Sequence, residues 1–465
     1  MRILLCCADW GVPLGGCAGS SVHVRAMARA LSGLGHEVRL VVSNADGPNL
    51  PPLPVTVVPG RAWWPAVRDG VERCRGRVAR DVSPAATRVE AGSAAPGGAW
   101  QDFCPGSEKA DVPSLKTRLY YEHLPMWFDR VEELAWHRRR FERVVGKALD
   151  EFRPHAVYER YALGQTGAAR ALERFGPGAP PFLLEVNASL ADERASRGDL
   201  PGLFGRLARW QEVRQWRRAD TVFCVSRTLG ERLERSGVDP GRIEVTPNGV
   251  DVDRFSPDRP RGTLRSRLQA EADDVLVGFV GSLSPGRGAV EFLEIMAKTL
   301  PMAPRALGVV VGGGPLADAL RRRAGELGLH RRVVFLGPVA HEAVPDLLVD
   351  LDIALACYPA QEAFYFSPMK VLEYMAAGLA VVCGRVGQMR ELVADGVSGL
   401  LVEPGNPEVW AAVVAGLCRD SRRRAALGAQ ARSSALAGPT WGKNAARVVA
   451  AIEGVTARRG GRYRP

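Results

Sequence analysis

The chain has 465 residues, 46% hydrophobic and 24% charged, with 62 Lys and Arg against 51 Asp and Glu for a net charge of +11. That length exceeds one ordinary core, so two or three domains are expected; the charge favours anionic partners, although an Arg-rich bias without a partner accounts for it equally well. Nine scattered cysteines without a C-x-x-C pair, and no apolar run near the ~18 residues of a spanning helix, argue against a disulfide framework, a structural zinc site and a transmembrane protein.

In chain order, residues 2–7 (RILLCC) read as a buried first strand; the run ends at Asp9 and is too short for a signal peptide. A loop with Gly15, Gly16 and Gly19 follows, then a helix from about Ser21 that places Val24, Met27 and Leu31 on one face and stops at Gly35. EVRLVVS is a second strand, and this order opens a parallel sheet. Residues 61–114, rich in Ala, Ser, Gly and Pro, predict an irregular insertion. Residues 115–150 return to helix, with Trp127, Phe128, Trp136 and Phe141 beside the basic run His137-Arg138-Arg139-Arg140. That helix has two readings: a surface touching an anionic membrane, or core aromatics with a solvated basic face. HAVYER and FLLEV resume the sheet, and ADTVFCVS closes it.

A second set begins at DVLVGFVG and continues through ALGVVVG, RVVFLG, DIALACY and LAVVCG, each followed by a helical pattern. Near-continuous apolar runs are what strands covered on both faces look like. The expected fold is therefore α/β: two facing, doubly wound, Rossmann-like domains, over residues 1–245 and 246–430. The link runs through TPNGVDVDRF, and a last helix and basic tail, residues 431–465, pack back toward the first domain.

Ligands of open parallel sheets sit at the carboxyl ends of the strands, so the loops there carry the chemistry. Gly281-x4-Gly286-Arg287-Gly288 is a near-miss to a phosphate-binding P-loop, with Arg for the usual Lys and Gly288 where a magnesium-binding hydroxyl would stand. Backbone N–H groups and Arg287 suit a diphosphate held without metal. VVVGGGPLADAL fails the dinucleotide fingerprint because Ala317 stands at its third glycine. In FYFSPMKVLEYMAAG, Ser367 reads as the cap of a helix with Pro368 at its first position and Gly378 at its stop. Lys370 and Glu373 share the side opposite Leu372, Met375 and Ala376, either as solvated charges or as the edge of a binding site. No Ser-His-Asp triad or Cys nucleophile is apparent, and the seven His are dispersed.

The motifs AGSSVHVRAMARALSGLGHEV, ADTVFCVS, VTPNGVDVDRF, FVGSLSPGRG, VVGGGPL, VVFLGPV, SPMKVLEYMAAGLAVVC and GQMRELVADGVSGLLVEPGN, in this order, resemble the retaining GT-B glycosyltransferases of family 4, the group 1 type. The resemblance implies a nucleotide-sugar donor on the C-terminal domain and an acceptor on the N-terminal one. It places Arg287 on the diphosphate, Glu373 on the donor ribose as the second glutamate of Glu-x7-Glu, and backbone of Ser367, Pro368 and Met369 around phosphate and sugar. Val339 matches a position meeting the base, and Gly19 one near the reacting sugar. Ser282 stands where many members carry a diphosphate Arg, and Tyr365 where the first glutamate belongs; Lys370 replaces a proline and restores a charge. Asn187 falls about where many members have a His, and Glu362 is a nearby carboxylate out of register.

The expected reaction is metal-independent, retaining transfer of a glycosyl group from a nucleoside-diphosphate sugar to a glycan, lipid-linked or small-molecule hydroxyl. Arg287, Lys370 and Glu373 are its main side chains, and no cofactor beyond the sugar nucleotide is implied. The setting is cytoplasmic, with peripheral contact at an anionic membrane face as an extension and no nucleic-acid partner. The rivals are an epimerase of the same fold, which would turn over donor without acceptor, and a non-catalytic sugar-nucleotide-binding protein.

Overall fold

The computed structural model describes residues 1–16, 18–58, 127–176, 178–196, 202–360 and 364–460. The expected insertion at 61–114 and Glu362 lie outside the described residues. Two parallel sheets carry the chain. The first runs β3-β2-β1-β4-β5-β6-β7, from β1 (Arg2–Cys7), β2 (Glu37–Val42), β3 (Val55–Val57), β4 (Ala156–Arg160), β5 (Phe182–Val186), β6 (Thr221–Cys224) and β7 (Ile243–Val245). The second runs β10-β9-β8-β11-β12-β13, from β8 (Val275–Val280), β9 (Ala306–Val311), β10 (Val333–Gly337), β11 (Ile353–Ala356), β12 (Ala380–Gly384) and β13 (Leu400–Val402). Strand order reverses between β1 and β4 in one sheet and between β8 and β11 in the other. Such reversals open a crevice at the carboxyl ends of the strands.

Each sheet is apolar on both faces because each is covered on both. On β1, Leu4 and Cys6 enter one core cluster while Ile3, Leu5 and Cys7 enter the opposite one. On β8, Leu276 and Val280 face one way, and Val275, Val277 and Phe279 the other. Period-two alternation thus disappears from the hydropathy pattern although the side chains still alternate. The first sheet does not close at β6: β7 pairs beyond it, and β3 and β13 also lie at sheet edges. Each of these three edge strands has three residues, too few to carry a readable period.

Helix α1 (Gly19–Gly33) buries Val24, Met27 and Leu31, and Gly35 beyond it has φ +83°. Helix α2 (Trp127–Phe152) buries Phe141, Val145, Leu149 and Phe152 at helical spacing. His137 is buried with them, Arg139 is exposed, and the Arg140 guanidinium lies 5.2 Å over the Trp136 ring. Beside the basic run, Phe141 belongs to the core, as one of the two readings has it, and Trp136 is half-buried beside Arg140. After β5 come α3 (Leu190–Ser196) and α4 (Gly202–Arg218); in the second domain α5 (Ala289–Thr299) follows β8 and α6 (Met369–Ala376) follows β11. The chain then crosses back. Helix α7 (Trp441–Arg458), capped by Thr440 Oγ1 accepting from the Lys443 N–H, puts Trp441, Ala445, Val448 and Ile452 into the cluster that holds Val24, Met27 and Leu31 of α1. Arg459 seals it with a forked pair to Asp220 at 2.6 and 2.7 Å.

Trp441 is therefore a structural member of the first domain despite its place near the end of the chain. Trp441→Ala is expected to cost about 3 kcal/mol, read as a fall of roughly 6 °C or more in the first thermal transition. A melting curve unchanged by the substitution would show that α7 does not contribute to that core.

Candidate active site

Helix α6 begins one residue later than the sequence suggests. Pro368, in extended backbone, is the residue before the helix, and no side chain caps the first turn. Ser367 does not take the cap, because its hydroxyl and carbonyl are both engaged elsewhere. Its hydroxyl instead accepts the Asn248 N–H at 3.0 Å, and its carbonyl accepts from Asn248 Nδ2 at 2.6 Å. The open helix start, with its partial positive charge, faces the cleft, because Met369 lies across from Gly19: a Cβ on Gly19 would stand 3.7 Å from Met369 Sδ.

One turn in, neither Lys370 nor Glu373 is a solvated charge. Lys370 Nζ is shielded from water and has no hydrogen-bond partner among the described residues. It lies 4.0 Å over the Phe279 ring and 5.3 Å from that of Tyr358. A Cβ on Gly281 would come within 2.8 Å of it, so the glycine at the end of β8 is what admits the ammonium. Burial, reinforced by the Arg287 charge and opposed by Cys357 and Glu373, pushes the Lys370 pKa down to about 8. Arg287, half-buried, stacks 4.9 Å over Phe366. The loop between them ends at Gly288, φ +95°, whose Cβ would meet the Cys357 carbonyl at 2.8 Å, and α5 starts there. Two cations and two helix starts therefore converge at the carboxyl ends of β8 and β11.

Glu373 is buried and paired with His341, Nε2 to Oε1 at 2.7 Å; the His341 carbonyl in turn accepts from Arg254 at 2.7 Å. Val339, two residues before His341, is half-buried against the same core. Ser282 is exposed and shares a 2.7 Å hydrogen bond with Ser284. Tyr365 turns away from this group altogether. Its hydroxyl donates to Glu193 Oε1 of α3 at 2.6 Å, its carbonyl accepts from Ser226 Oγ at 2.6 Å, and its ring packs on the first domain's core. The aromatic residue at the position of a family carboxylate thus fastens one domain to the other.

Across the cleft, Asn187 donates to Glu185, the last carboxylate of β5. Glu185 also accepts from His23 Nε2 at 2.8 Å, from Arg160 Nη1 at 2.8 Å and from the Tyr158 hydroxyl. Burial alone would raise its pKa, but His23, Arg160 and Tyr158 hold it well below the usual carboxylate range. His23 continues through Nδ1 to Asn248 Oδ1 at 2.8 Å, and Asn248 reaches Ser367. The chain Glu185–His23–Asn248–Ser367 joins the first domain to the backbone just ahead of α6. Sequence reasoning missed it, although a carboxylate inside FLLEV and a histidine on the apolar face of α1 were the signals.

Two doubly wound sheets facing across a cationic cleft define the GT-B class, and comparison with known proteins agrees. The model described as Glycosyl transferases group 1 matches residues 260–434, and that described as Glycosyl transferase 4-like domain matches residues 18–249. Between them they span most of the chain, which belongs to the family 4, group 1 glycosyltransferases. It is 31% identical over 240 residues to a GDP-mannose-dependent alpha-(1-6)-phosphatidylinositol monomannoside mannosyltransferase of Mycolicibacterium smegmatis, covering 51% of this chain and 63% of that one. It is 34% identical over 211 residues to a D-inositol 3-phosphate glycosyltransferase of Corynebacterium glutamicum, covering 44% and 50%. The alignment therefore spans less than two thirds of either relative. In fold it is similar to sucrose-phosphate synthase from Thermosynechococcus elongatus (TM-score 0.67, 18% identity, 98% and 100% of the chains) and to Anabaena HepE in complex with UDP-glucose (0.61, 18%, 97% and 99%).

Glu185→Gln leaves Arg160 without its countercharge and is expected to destabilise the protein by about 3 kcal/mol at neutral pH. The depressed carboxylate stabilises the fold above its unfolded pKa, near 4, and that contribution is lost as pH falls through the folded value. The deficit of the variant should accordingly hold steady above about pH 5 and shrink in more acid solution. Urea titrations showing the same deficit at every pH would contradict this role.

Proposed function

We propose that this chain transfers a glycosyl group, with retention, from a nucleoside-diphosphate sugar to an acceptor hydroxyl. The observation that carries the proposal is Lys370: an ammonium held out of water without an oxygen partner, beside Arg287 and the uncapped start of α6. A diphosphate supplies the missing acceptors. As the bond from the anomeric carbon to the diphosphate oxygen breaks, negative charge develops there, and Lys370, Arg287 and the first amides of α6 stabilise it in a site that excludes water. Glu373 accepts from the donor ribose when His341 gives way, Val339 borders the base, and backbone at Ser367, Pro368 and Met369 lies along the sugar and phosphate.

A covalent route needs a free carboxylate at the anomeric carbon. Glu185, the carboxylate nearest Asn187, is saturated by four donors, which supports a same-face attack in which the acceptor hydroxyl forms the new bond and its proton passes to the departing phosphate oxygen. Metal independence is part of the proposal. It is supported by Lys370 and Arg287, two cations that would meet a diphosphate there. UDP- and GDP-sugars are the donors to try first, given what the relatives and the fold neighbours bind. The acceptor is a glycan, an inositol-like small molecule or a lipid-linked sugar, and the last would bring a cytoplasmic enzyme into peripheral contact with an anionic membrane. Among the described residues no helix is long and apolar enough to cross one.

Calorimetric titration with UDP and GDP tests the donor site. Arg287→Ala and Glu373→Ala should each weaken binding of the preferred nucleotide roughly tenfold or more, the scale of a lost charge-assisted contact. Wild-type affinity in either variant would remove that residue from the site.

A further inference from the structure

Helix α4 (Gly202–Arg218) has an unusual division. Its second half is anchored, with Glu212, Gln215 and Trp216 buried, whereas no residue from 202 to 210 is buried. Within that projecting half, Leu203 is 77% exposed, Leu207 58% and Trp210 58%. Spacings of four and three place them in one stripe along the helix. The stripe continues into Arg214, whose guanidinium lies 5.3 Å from the Trp210 ring, and exposed Arg206 flanks it. α4 contains five arginines and one carboxylate, and that carboxylate, Glu212, is turned inward to Ser189 at 2.9 Å. The outward charge of this helix is entirely positive. Its neighbour α3 carries both Glu193, which meets Tyr365 at the domain junction, and Asp192, which pairs with Arg209. The stripe therefore stands beside the cleft on the acceptor side.

We infer that the projecting half of α4 docks on an anionic lipid bilayer, with Leu203, Leu207 and Trp210 in the headgroup–acyl boundary and Arg206 and Arg214 on lipid phosphates. A large apolar stripe bordered by arginine alone is complementary to that surface. A second copy of a chain of net charge +11 would instead be repelled. Helix α2, the other basic and aromatic helix, commits Phe141, Val145 and Leu149 to the core. Docking through α4 sets the acceptor side of the cleft at the membrane surface, so a lipid-linked acceptor is the substrate class that fits; this last step rests on the proposed transferase activity, while the docking itself does not.

The test is co-sedimentation of the full chain with vesicles of phosphatidylcholine alone and of phosphatidylcholine mixed with phosphatidylglycerol. Wild type should partition onto the mixed vesicles, lose binding as salt rises, and bind the neutral vesicles weakly. The triple variant Leu203→Ser, Leu207→Ser, Trp210→Ser should partition roughly tenfold less, and Arg206→Gln with Arg214→Gln should lose the preference for the anionic lipid. All five positions are exposed, so unchanged melting temperature and unchanged UDP or GDP binding are expected and separate this result from failure of the donor site. Absence of wild-type binding to the mixed vesicles, or equal binding by the triple variant, overturns the inference. So does a wild-type dimer in sedimentation velocity that the triple variant dissociates, because the stripe would then belong to a second copy.

Discussion

An ammonium kept from water with nothing among the described residues to accept its hydrogens is the constraint on which the cleft face of the second domain depends. Removing such a charge from solvent costs several kcal/mol. The faces of Phe279 and Tyr358 return only about 0.5–2 kcal/mol through their ring quadrupoles. The remaining deficit is visible in Lys370's pKa of about 8, well below that of a free lysine. The surroundings accommodate it at further conformational cost. Gly281 must lack a side chain to admit Nζ, and Gly288 must hold a left-handed backbone against the Cys357 carbonyl. A site that keeps such a tension in the free protein binds an anion by relieving it, without ordering anything new.

The first domain meets that site in a fixed place. Three connections supply this. The chain Glu185–His23–Asn248–Ser367 passes through the linker and ends two residues before α6. Tyr365 crosses from the donor side to Glu193, and α7 returns to α1 to lie in the first domain's core. The family's usual carboxylate is absent at position 365, and the tyrosine there stiffens the junction instead.

Much of this was legible in the sequence because long apolar strands and glycine-bearing loops announce themselves locally. RILLCC, VLVGFV and AVVCG sit where their composition placed them, and Val24, Met27 and Leu31 share a buried face. The three-residue edge strands were not legible, since their pairing is decided by neighbours and not by their own pattern. The Ser367 cap failed for a related reason: the hydroxyl found a better partner in Asn248, 119 residues away. Spacing put Lys370 and Glu373 on one helix side but could not say that this side is covered. Contacts such as His23 to Glu185, 162 residues apart, exist only once the first domain has folded, and His23 to Asn248, 225 apart, only once the linker has met it.

The central claim, that the Lys370 ammonium is the seat of a diphosphate, is most directly tested by titrating UDP and GDP calorimetrically across a pH series, into the wild type and into Lys370→Met. Because burial pushes the Lys370 pKa down to about 8 in the unliganded protein and the anion requires the ammonium, wild-type affinity should fall as pH rises through about 8, with proton uptake on binding. Lys370→Met should bind weakly at every pH while melting at or above the wild-type temperature, since an unpaired buried charge has been replaced by an apolar group of similar shape. Wild-type affinity in Lys370→Met, or wild-type binding that ignores pH across this range, would contradict the account.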